Sequence, residues 1–389
     1  MKILMINVVC GIRSTGRICT DLAAELEKQG HEVKIAYGRE EVPAKFQKYA
    51  VRIGNEFDVK LHGVKARLSD QSGFGSKAAT TRFIQWVRQY DPDVVHLHNI
   101  HGYYINIEVL FEYLKTSGKK IIWTLHDCWA FTGHAAYCEA ADCQKWVSGC
   151  GSCPKRSDYP KSLTDNSASN WLRKKDLFSD IPDMTIVTPS DWLAGLVKRS
   201  FLSRYPVTVI NNGIDTGIFK PVQSNLRERL RAENKKIILG VASVWDERKG
   251  LRDFLRLYEL LDKNRYLIIL AGLSERQKKE LPDGIIGFAR TDSARQLVEL
   301  YSTADVFVNP TYEDNYPTTN LEAIACGTPV ITYDTGGSPE SAQMYGLAVP
   351  KGNVGDIAEA IAAAGSISKG RVDCDGKTAI RKYMAVYLK

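Results

Sequence analysis

Asp314 and Glu322 are two carboxylates with seven residues between them, in the run Glu313-Asp314-Asn315-Tyr316-Pro317-Thr318-Thr319-Asn320-Leu321-Glu322-Ala323-Ile324-Ala325-Cys326-Gly327. The pattern predicts a helix from about Thr318 to Cys326, ended by Gly327, with Asp314 ahead of it and Glu322 inside it. A helix start favours negative charge, and a fixed carboxylate accepts two hydrogen bonds from the paired hydroxyls of a ribose or hexose. Two acids that merely cap a helix would show the same spacing.

Cations precede them in the chain. Lys249, with Arg248 beside it, lies in Ser243-Val244-Trp245-Asp246-Glu247-Arg248-Lys249-Gly250-Leu251, directly after the apolar run Lys236 to Val241. A cation held in a dry cleft stabilises the charge that develops on a departing phosphate and needs no metal to do so. A solvated Lys-Arg pair is the plain alternative. Thr335-Gly336-Gly337-Ser338-Pro339-Glu340 reads as a helix start, with Ser338 as N-cap and Pro339 at the first helical position, and free backbone amides at such a place attract anions. In the first half, Gly11-Ile12-Arg13-Ser14-Thr15-Gly16-Arg17 joins the first strand to its helix. Its spacing is neither a dinucleotide fingerprint nor a phosphate loop, which weighs against dehydrogenase and kinase chemistry. His126 ends the strand-like run Ile121 to Leu125, as a ligand contact or as a core histidine.

These groups need a scaffold that brings loops together. Lys2 to Val9 is apolar; Ile18, Leu22, Ala23 and Leu26 then recur at helical spacing up to Gly30, and His31 to Ala36 follows as a second strand. The strand and helix alternation continues through Asp93 to His98, Ile121 to Leu125 and Met184 to Thr188, and again through Lys236 to Val241, Tyr266 to Ala271, Val306 to Val308 and Pro329 to Thr332. Such alternation implies parallel sheets, whose ligands sit beyond the carboxyl ends of the strands. A Gly- and Pro-containing charged stretch around Asn212 to Lys235 interrupts the rhythm. The expected layout is one domain over 1–218, a second over 219–375 and a terminal helix over 376–389.

At 389 residues two cores are the natural expectation, and 44% hydrophobic with 25% charged residues excludes a disordered or fibrous chain. No apolar run suits a signal peptide or a membrane-spanning helix, so the protein is expected in the cytoplasm. The formal charge of +7 falls mostly on the first half, which suits an anionic surface or acceptor as well as a scattered solvated face. Nucleic acid is not expected as a partner, because no basic helical stripe or aromatic-interleaved basic strand appears. Five of the nine cysteines fall between Cys128 and Cys153. Cys138, Cys143, Cys150 and Cys153 could close a tetrahedral structural zinc site, with Cys128 and His134 as spare ligands; reduced thiols and disulfides are the other readings.

The acidic pair, the Lys249-Gly250 loop, the Gly336-Gly337-x-Pro-Glu element, the Gly11 to Arg17 loop, Thr124-Leu125-His126-Asp127 and the turn Asn212-Gly213-Ile214-Asp215 together make the chain resemble the retaining glycosyltransferases of family 4, from about residue 2 to 345. The resemblance implies an α/β fold of the GT-B type, two doubly wound Rossmann-like domains facing across a cleft. It implies a nucleoside diphosphate sugar as donor, a uridine base first and guanosine second, and a growing, lipid-linked glycan as acceptor. It places Lys249 and Arg248 on the diphosphate beside the amides of Gly336 and Gly337, Glu322 on the ribose, Asp314 and His126 on the donor sugar, and Gly16 in the cleft wall. No catalytic cofactor is implied. The family more often has Glu where this chain has Asp314, and an Arg five or six positions before the Lys, where this chain has Val244 and Ser243. The Cys-rich insertion, about 128–156, resembles a subgroup found with exopolysaccharide and lipopolysaccharide assembly, which suggests contact with the inner face of the membrane. Rival activities are a nucleotide-sugar epimerase or a phosphorylase on the same architecture, and, from another class, a non-catalytic nucleic-acid-binding protein.

Overall fold

The computed structural model describes residues 1–289, 293–368 and 374–388. Lys389, the last residue of the expected terminal helix, lies outside them. The chain divides into two compact units, one of Met1–Asn211 with Ala379–Lys389, the other of Asn212–Thr378.

The first unit is built on β1 (Lys2–Ile6), β2 (Glu32–Tyr37), β3 (Ala50–Arg52), β4 (Val94–Leu97), β5 (Lys120–Thr124), β6 (Met184–Thr188) and β7 (Val207–Val209). They form one parallel sheet in the order β3-β2-β1-β4-β5-β6-β7. Alternate side chains of β1 feed different cores: Leu4 and Ile6 pack with Val95, Leu97, Ile121 and Trp123 on one face, while Ile3 and Met5 pack with Ile35, Val94 and Ile122 on the other. A strand buried on both faces needs apolar residues at every position, which is why these segments read as continuous runs instead of alternating ones. Each such Ile or Leu contributes roughly 1.5–3 kcal/mol by leaving water.

The helix Gly376–Tyr387 carries the chain's end back onto this unit. Ile380, Tyr383, Val386 and Tyr387 are buried beside Ile3 and Met5. His96 Nδ1 lies 2.7 Å from the Tyr387 hydroxyl, and the Thr124 hydroxyl lies 3.1 Å from that of Tyr383.

The second unit repeats the plan with β8 (Lys236–Val241), β9 (Tyr266–Ala271), β10 (Ile285–Phe288), β11 (Val306–Asn309), β12 (Val330–Tyr333) and β13 (Gly346–Val349), all parallel, in the order β10-β9-β8-β11-β12-β13. Ile237 and Leu239 face one core and Ile238 the opposite one. In each sheet the strand order reverses once, between β1 and β4 and between β8 and β11. At such a switch point adjacent connections leave in opposite directions and open a crevice past the strand ends.

Candidate active site

In the second unit the loops after β8 and β11, on either side of the switch point, close on one another. The Asp246 side chain accepts from the Lys249 amide at 3.0 Å and caps a single 3₁₀ turn, Glu247–Lys249. Gly250 follows with φ 72°, and a Cβ there would stand 2.3 Å from the carbonyl oxygen of Pro310. Only glycine allows that approach. The approach lets the Tyr312 amide donate to the Arg248 carbonyl at 2.8 Å and the Arg248 guanidinium donate to the Glu313 carbonyl at 2.7 Å.

Lys249 thereby reaches Asp314: its Nζ donates to Oδ2 at 2.5 Å. Burial alone would raise the Asp314 carboxyl, but the charges of Lys249 and Arg248, the bond from Lys249 and the amide of Asn315 more than offset it and hold the group below its ordinary value. Asp314 is therefore an anion at neutral pH. The third loop, after β12, joins here: the Gly337 amide donates to the Asp314 carbonyl at 3.2 Å, and the Thr335 hydroxyl donates to the Tyr312 carbonyl at 2.9 Å. Arg248, Lys249, Asp314 and Gly337, predicted from three places in the sequence, are thus one cluster. Gly336 supplies the turn with φ 57°. Gly337, not Ser338, is the N-cap of the short helix Ser338–Ala342, because the Ser338 hydroxyl is occupied, 2.7 Å from that of Thr332.

Glu322 sits inside the helix Thr318–Ala325 as predicted and is buried. Its carboxylate accepts from the buried hydroxyl of Tyr301 at 3.0 Å. Sequence reasoning missed Asn320, which ties the site loops together. Its Oδ1 accepts from Asn309 at 2.8 Å and its Nδ2 donates to the Ser341 hydroxyl at 2.8 Å. It joins the end of β11 to two helices. Its amide side chain directly before the apolar Leu321, in the same helix as Glu322, was the available signal.

The first unit holds a second cluster at its own strand ends. His126 follows β5, and its Nε2 lies 3.0 Å from Nδ1 of buried His98, which follows β4. The two rings stack with centroids 5.3 Å apart. Burial pushes His126 down to about 4 and His98 well below its ordinary value, so both rings are neutral near pH 7 and one must donate to the other. Beside them His101 Nε2 meets Asp127 Oδ2 at 2.9 Å, and its Nδ1 lies 3.1 Å from the Tyr159 hydroxyl. This Tyr-His-Asp chain was not anticipated; its signal was a third histidine close behind His96 and His98.

Gly16 is placed differently from the expectation. The first helix is already under way at Arg13, so Gly16 lies within Arg13–Lys28 and not in the preceding loop. A Cβ on it would stand 3.0 Å from Val9 Cγ2 and 3.2 Å from the Gly11 amide. The missing atom lets the helix pack closely on the loop that follows the first strand. Gly11, with φ 74°, makes the turn.

The cysteine segment folds around buried polar groups. All nine cysteines are free of disulfides. The Gly133 amide donates to Cys150 Sγ at 3.2 Å, and burial raises that thiol to about 11. His134 is paired with Asp70, and buried Lys174 donates to the carbonyls of Trp129 and Thr132 at 2.8 and 3.0 Å. Among the described residues no three His, Cys, Asp or Glu side chains are gathered as a metal-binding group.

Comparison with known proteins agrees with this architecture. Residues 15–217 match the profile of Glycosyltransferase Family 4 and residues 222–378 that of Glycosyl transferases group 1. The chain is 24% identical over 366 residues to the putative colanic acid biosynthesis glycosyl transferase WcaC of Escherichia coli, covering 89% of this chain and 86% of that protein. Its fold is similar to that of sucrose-phosphate synthase from Thermosynechococcus elongatus, with a TM-score of 0.68, 17% identity and coverage of 99% and 94%. It is similar also to HepE of Anabaena in complex with UDP-glucose, with a TM-score of 0.64, 14% identity and coverage of 99% of both chains. With two parallel-sheet α/β units, loops meeting at the switch point of the second, and a family profile spanning more than half its length, the chain belongs to glycosyltransferase family 4 and has the GT-B fold.

Proposed function

We propose that the protein transfers a hexose from a nucleoside diphosphate sugar to a hydroxyl of a growing, lipid-linked glycan in cell-surface polysaccharide assembly, with retention at the anomeric carbon. The observation that carries this reading is the cluster of Lys249, Arg248, Asp314 and the Gly337 amide at the switch point of the second unit. Breaking a sugar-phosphate bond leaves negative charge on the diphosphate. Lys249 and Arg248 are fixed cations, and a cation already oriented stabilises that charge with little reorganisation. Asp314, held as an anion, suits the hydroxyls of the donor sugar, and buried Glu322 suits those of the ribose. His126, kept neutral and with its Nε2 on His98, can offer a sugar hydroxyl one donor or one acceptor, according to its tautomer. Transfer on one face of the sugar asks the protein chiefly for position and charge stabilisation.

A uridine donor is favoured, in keeping with the UDP-glucose complex of HepE; guanosine is second. The glycan acceptor is suggested by WcaC, and a lipid-linked one by another relative, the N,N'-diacetylbacillosaminyl-diphospho-undecaprenol alpha-1,3-N-acetylgalactosaminyltransferase of Campylobacter jejuni, 30% identical over 184 residues. Calorimetric titration with UDP, GDP and ADP, without divalent metal, tests the reading. One nucleotide binds, and Lys249→Ala weakens it about 10- to 100-fold, the range for loss of a charged hydrogen bond. Binding of none of the three overturns the assignment of the site.

A further inference from the structure

Tyr159, His101 and Asp127 form their hydrogen-bonded chain beyond the carboxyl ends of β4 and β5, the place where a parallel sheet takes its ligands. Asp127 is held at both oxygens: Oδ1 accepts from the Trp129 amide at 2.9 Å, and Oδ2 meets His101 Nε2 at 2.9 Å. Burial alone would raise its carboxyl, but His101 and the Trp129 amide more than offset it, so Asp127 is an anion that can only accept. A proton of His101 therefore stands on Nε2. In a neutral imidazole the other nitrogen, Nδ1, then accepts, and the Tyr159 hydroxyl, 3.1 Å away, is its donor. Burial raises that hydroxyl, which keeps its proton at neutral pH.

Tyr159 is thus tied down by its hydroxyl while its ring is left open, the residue being 44% exposed. Behind it the His101 ring lies against buried Trp129, centroids 5.3 Å apart, so the tether is backed by the core. Tyr103 stands edge-on to Tyr159 at 6.2 Å. Its backbone is left-handed, φ 70°, which a bulky residue rarely adopts. Gly102 before it has φ 107°, and a Cβ there would stand 2.6 Å from Val8 Cγ2, so this loop is pressed against the one that follows β1. Backbone held in a rare conformation to present a side chain is a feature of functional sites.

A fixed, half-exposed aromatic face suits the apolar C–H face of a pyranose ring, because it offers a large contact already oriented. Its neighbour decides which sugar. Asp127 follows His126 directly, and Asp127 and His101 both act on the His126 ring, so a sugar on Tyr159 lies beside the one assigned to His126. That is the position of an acceptor. Charge narrows the class further. Arg39 follows β2, and its charge bears on both Tyr103 and Tyr159, while the adjacent acid, Glu40, is engaged by Arg13. A cation at the edge of the platform favours a sugar with an anionic substituent.

We propose that Tyr159 and Tyr103, with Arg39 at their edge, form an acceptor subsite for a pyranose ring that carries a carboxylate or a phosphate. The acceptor role rests on the transfer proposed above, whereas the platform binds its sugar whichever donor the second unit takes. Saturation-transfer NMR on the full chain without nucleotide tests it, with methyl β-D-glucuronide, glucose 6-phosphate and methyl β-D-glucoside as probes. At least one anionic sugar binds in the millimolar range expected of a single ring held on one face, and more tightly than the neutral glucoside. Which of the two binds tells carboxylate from phosphate. Tyr159→Ala weakens binding about three- to tenfold, the loss of one aromatic contact. Tyr159→Leu, which keeps apolar volume at the surface, shows the same loss. Arg39→Gln brings the anionic sugar down to the level of the glucoside. Failure of both anionic sugars to bind the wild type overturns the proposal, as does equal binding by wild type and both Tyr159 variants, or equal binding of charged and neutral sugars. If the nucleotide titration fails while an anionic sugar still binds at Tyr159, the donor assignment falls and the platform stands.

Discussion

Lys249 and Asp314 are locked to each other, Nζ to Oδ2 at 2.5 Å, across the junction of two loops that leave neighbouring strands. Each is therefore the other's competitor for a ligand. A diphosphate must draw Lys249 from the carboxylate or share it, and the pairing keeps both groups aimed in the meantime.

Asp314→Asn separates these roles. Removing the carboxylate's charge frees Lys249, so a nucleoside diphosphate binds about three- to tenfold more tightly, a gain of roughly 0.6–1.4 kcal/mol. Sugar transfer falls by about 10²-fold, because a neutral amide stabilises a developing positive sugar less well than an anion. Calorimetry and turnover measured side by side check the pair of effects; weaker nucleotide binding in this variant contradicts the competition.

Glu322→Gln reports on the ribose alone. The change loses a charged hydrogen bond, so affinity for the nucleoside diphosphate drops about tenfold or more, whereas affinity for inorganic pyrophosphate is unchanged. A 2′-deoxy or 3′-deoxy nucleotide shows the same loss with the wild-type protein and little further loss with the variant. Should pyrophosphate weaken equally, Glu322 acts on the shape of the site and not on the sugar.

Three buried histidines set the acid limit of stability. Burial holds His62 at about 4 and His96 at about 3, and His98 well below its ordinary 6.5. An unfolded chain takes up these protons below pH 6.5 and the folded one does not, so their contribution is full above that value and is lost as pH falls toward the folded ones. The loss is about 1.4 kcal/mol per pH unit for each proton. Urea unfolding at pH 7.5, 6 and 5 reveals it, and His62→Gln makes the dependence shallower.

Asn320→Ala destabilises the second unit by about 2 kcal/mol, because it leaves the buried polar side chains of Asn309 and Ser341 with a partner fewer. Chemical denaturation measures it. A stability within about 0.5 kcal/mol of wild type would show that the network relaxes around the gap.

How much of this was legible beforehand depended on distance along the chain. Central strands such as Lys236–Val241 were found because burial on both faces leaves continuous apolar runs, while Ala50–Arg52 and Val207–Val209, at the sheet's edges, are too short to show a period. Lys249 and Asp314 could be paired through family spacing although 65 positions separate them. His101 with Asp127 and Tyr159 could not, since only the fold brings them together. Phe57, Leu61, Val64 and Leu68, in the helix Glu56–Ser69, have the spacing of a core face, and burial alone distinguishes them from Val59, His62 and Ala66. The Gly16 misplacement has the same root: a glycine reads as a loop residue until the close approach that needs it is seen.

The helix Gly376–Tyr387 gives the order of synthesis a part in folding. His96 and Thr124 belong to strands made before the second unit, yet Tyr387 and Tyr383, their hydrogen-bond partners, are made only after it. While the second unit is being translated, the first therefore waits with an apolar strip uncovered and with His96 and Thr124, 2.8 Å from each other, each lacking one further partner, and it depends on chaperones or on its own marginal stability in that interval. A premature stop shortly before Ala379 would spare every residue of the nucleotide-side cluster and still leave the first unit incomplete.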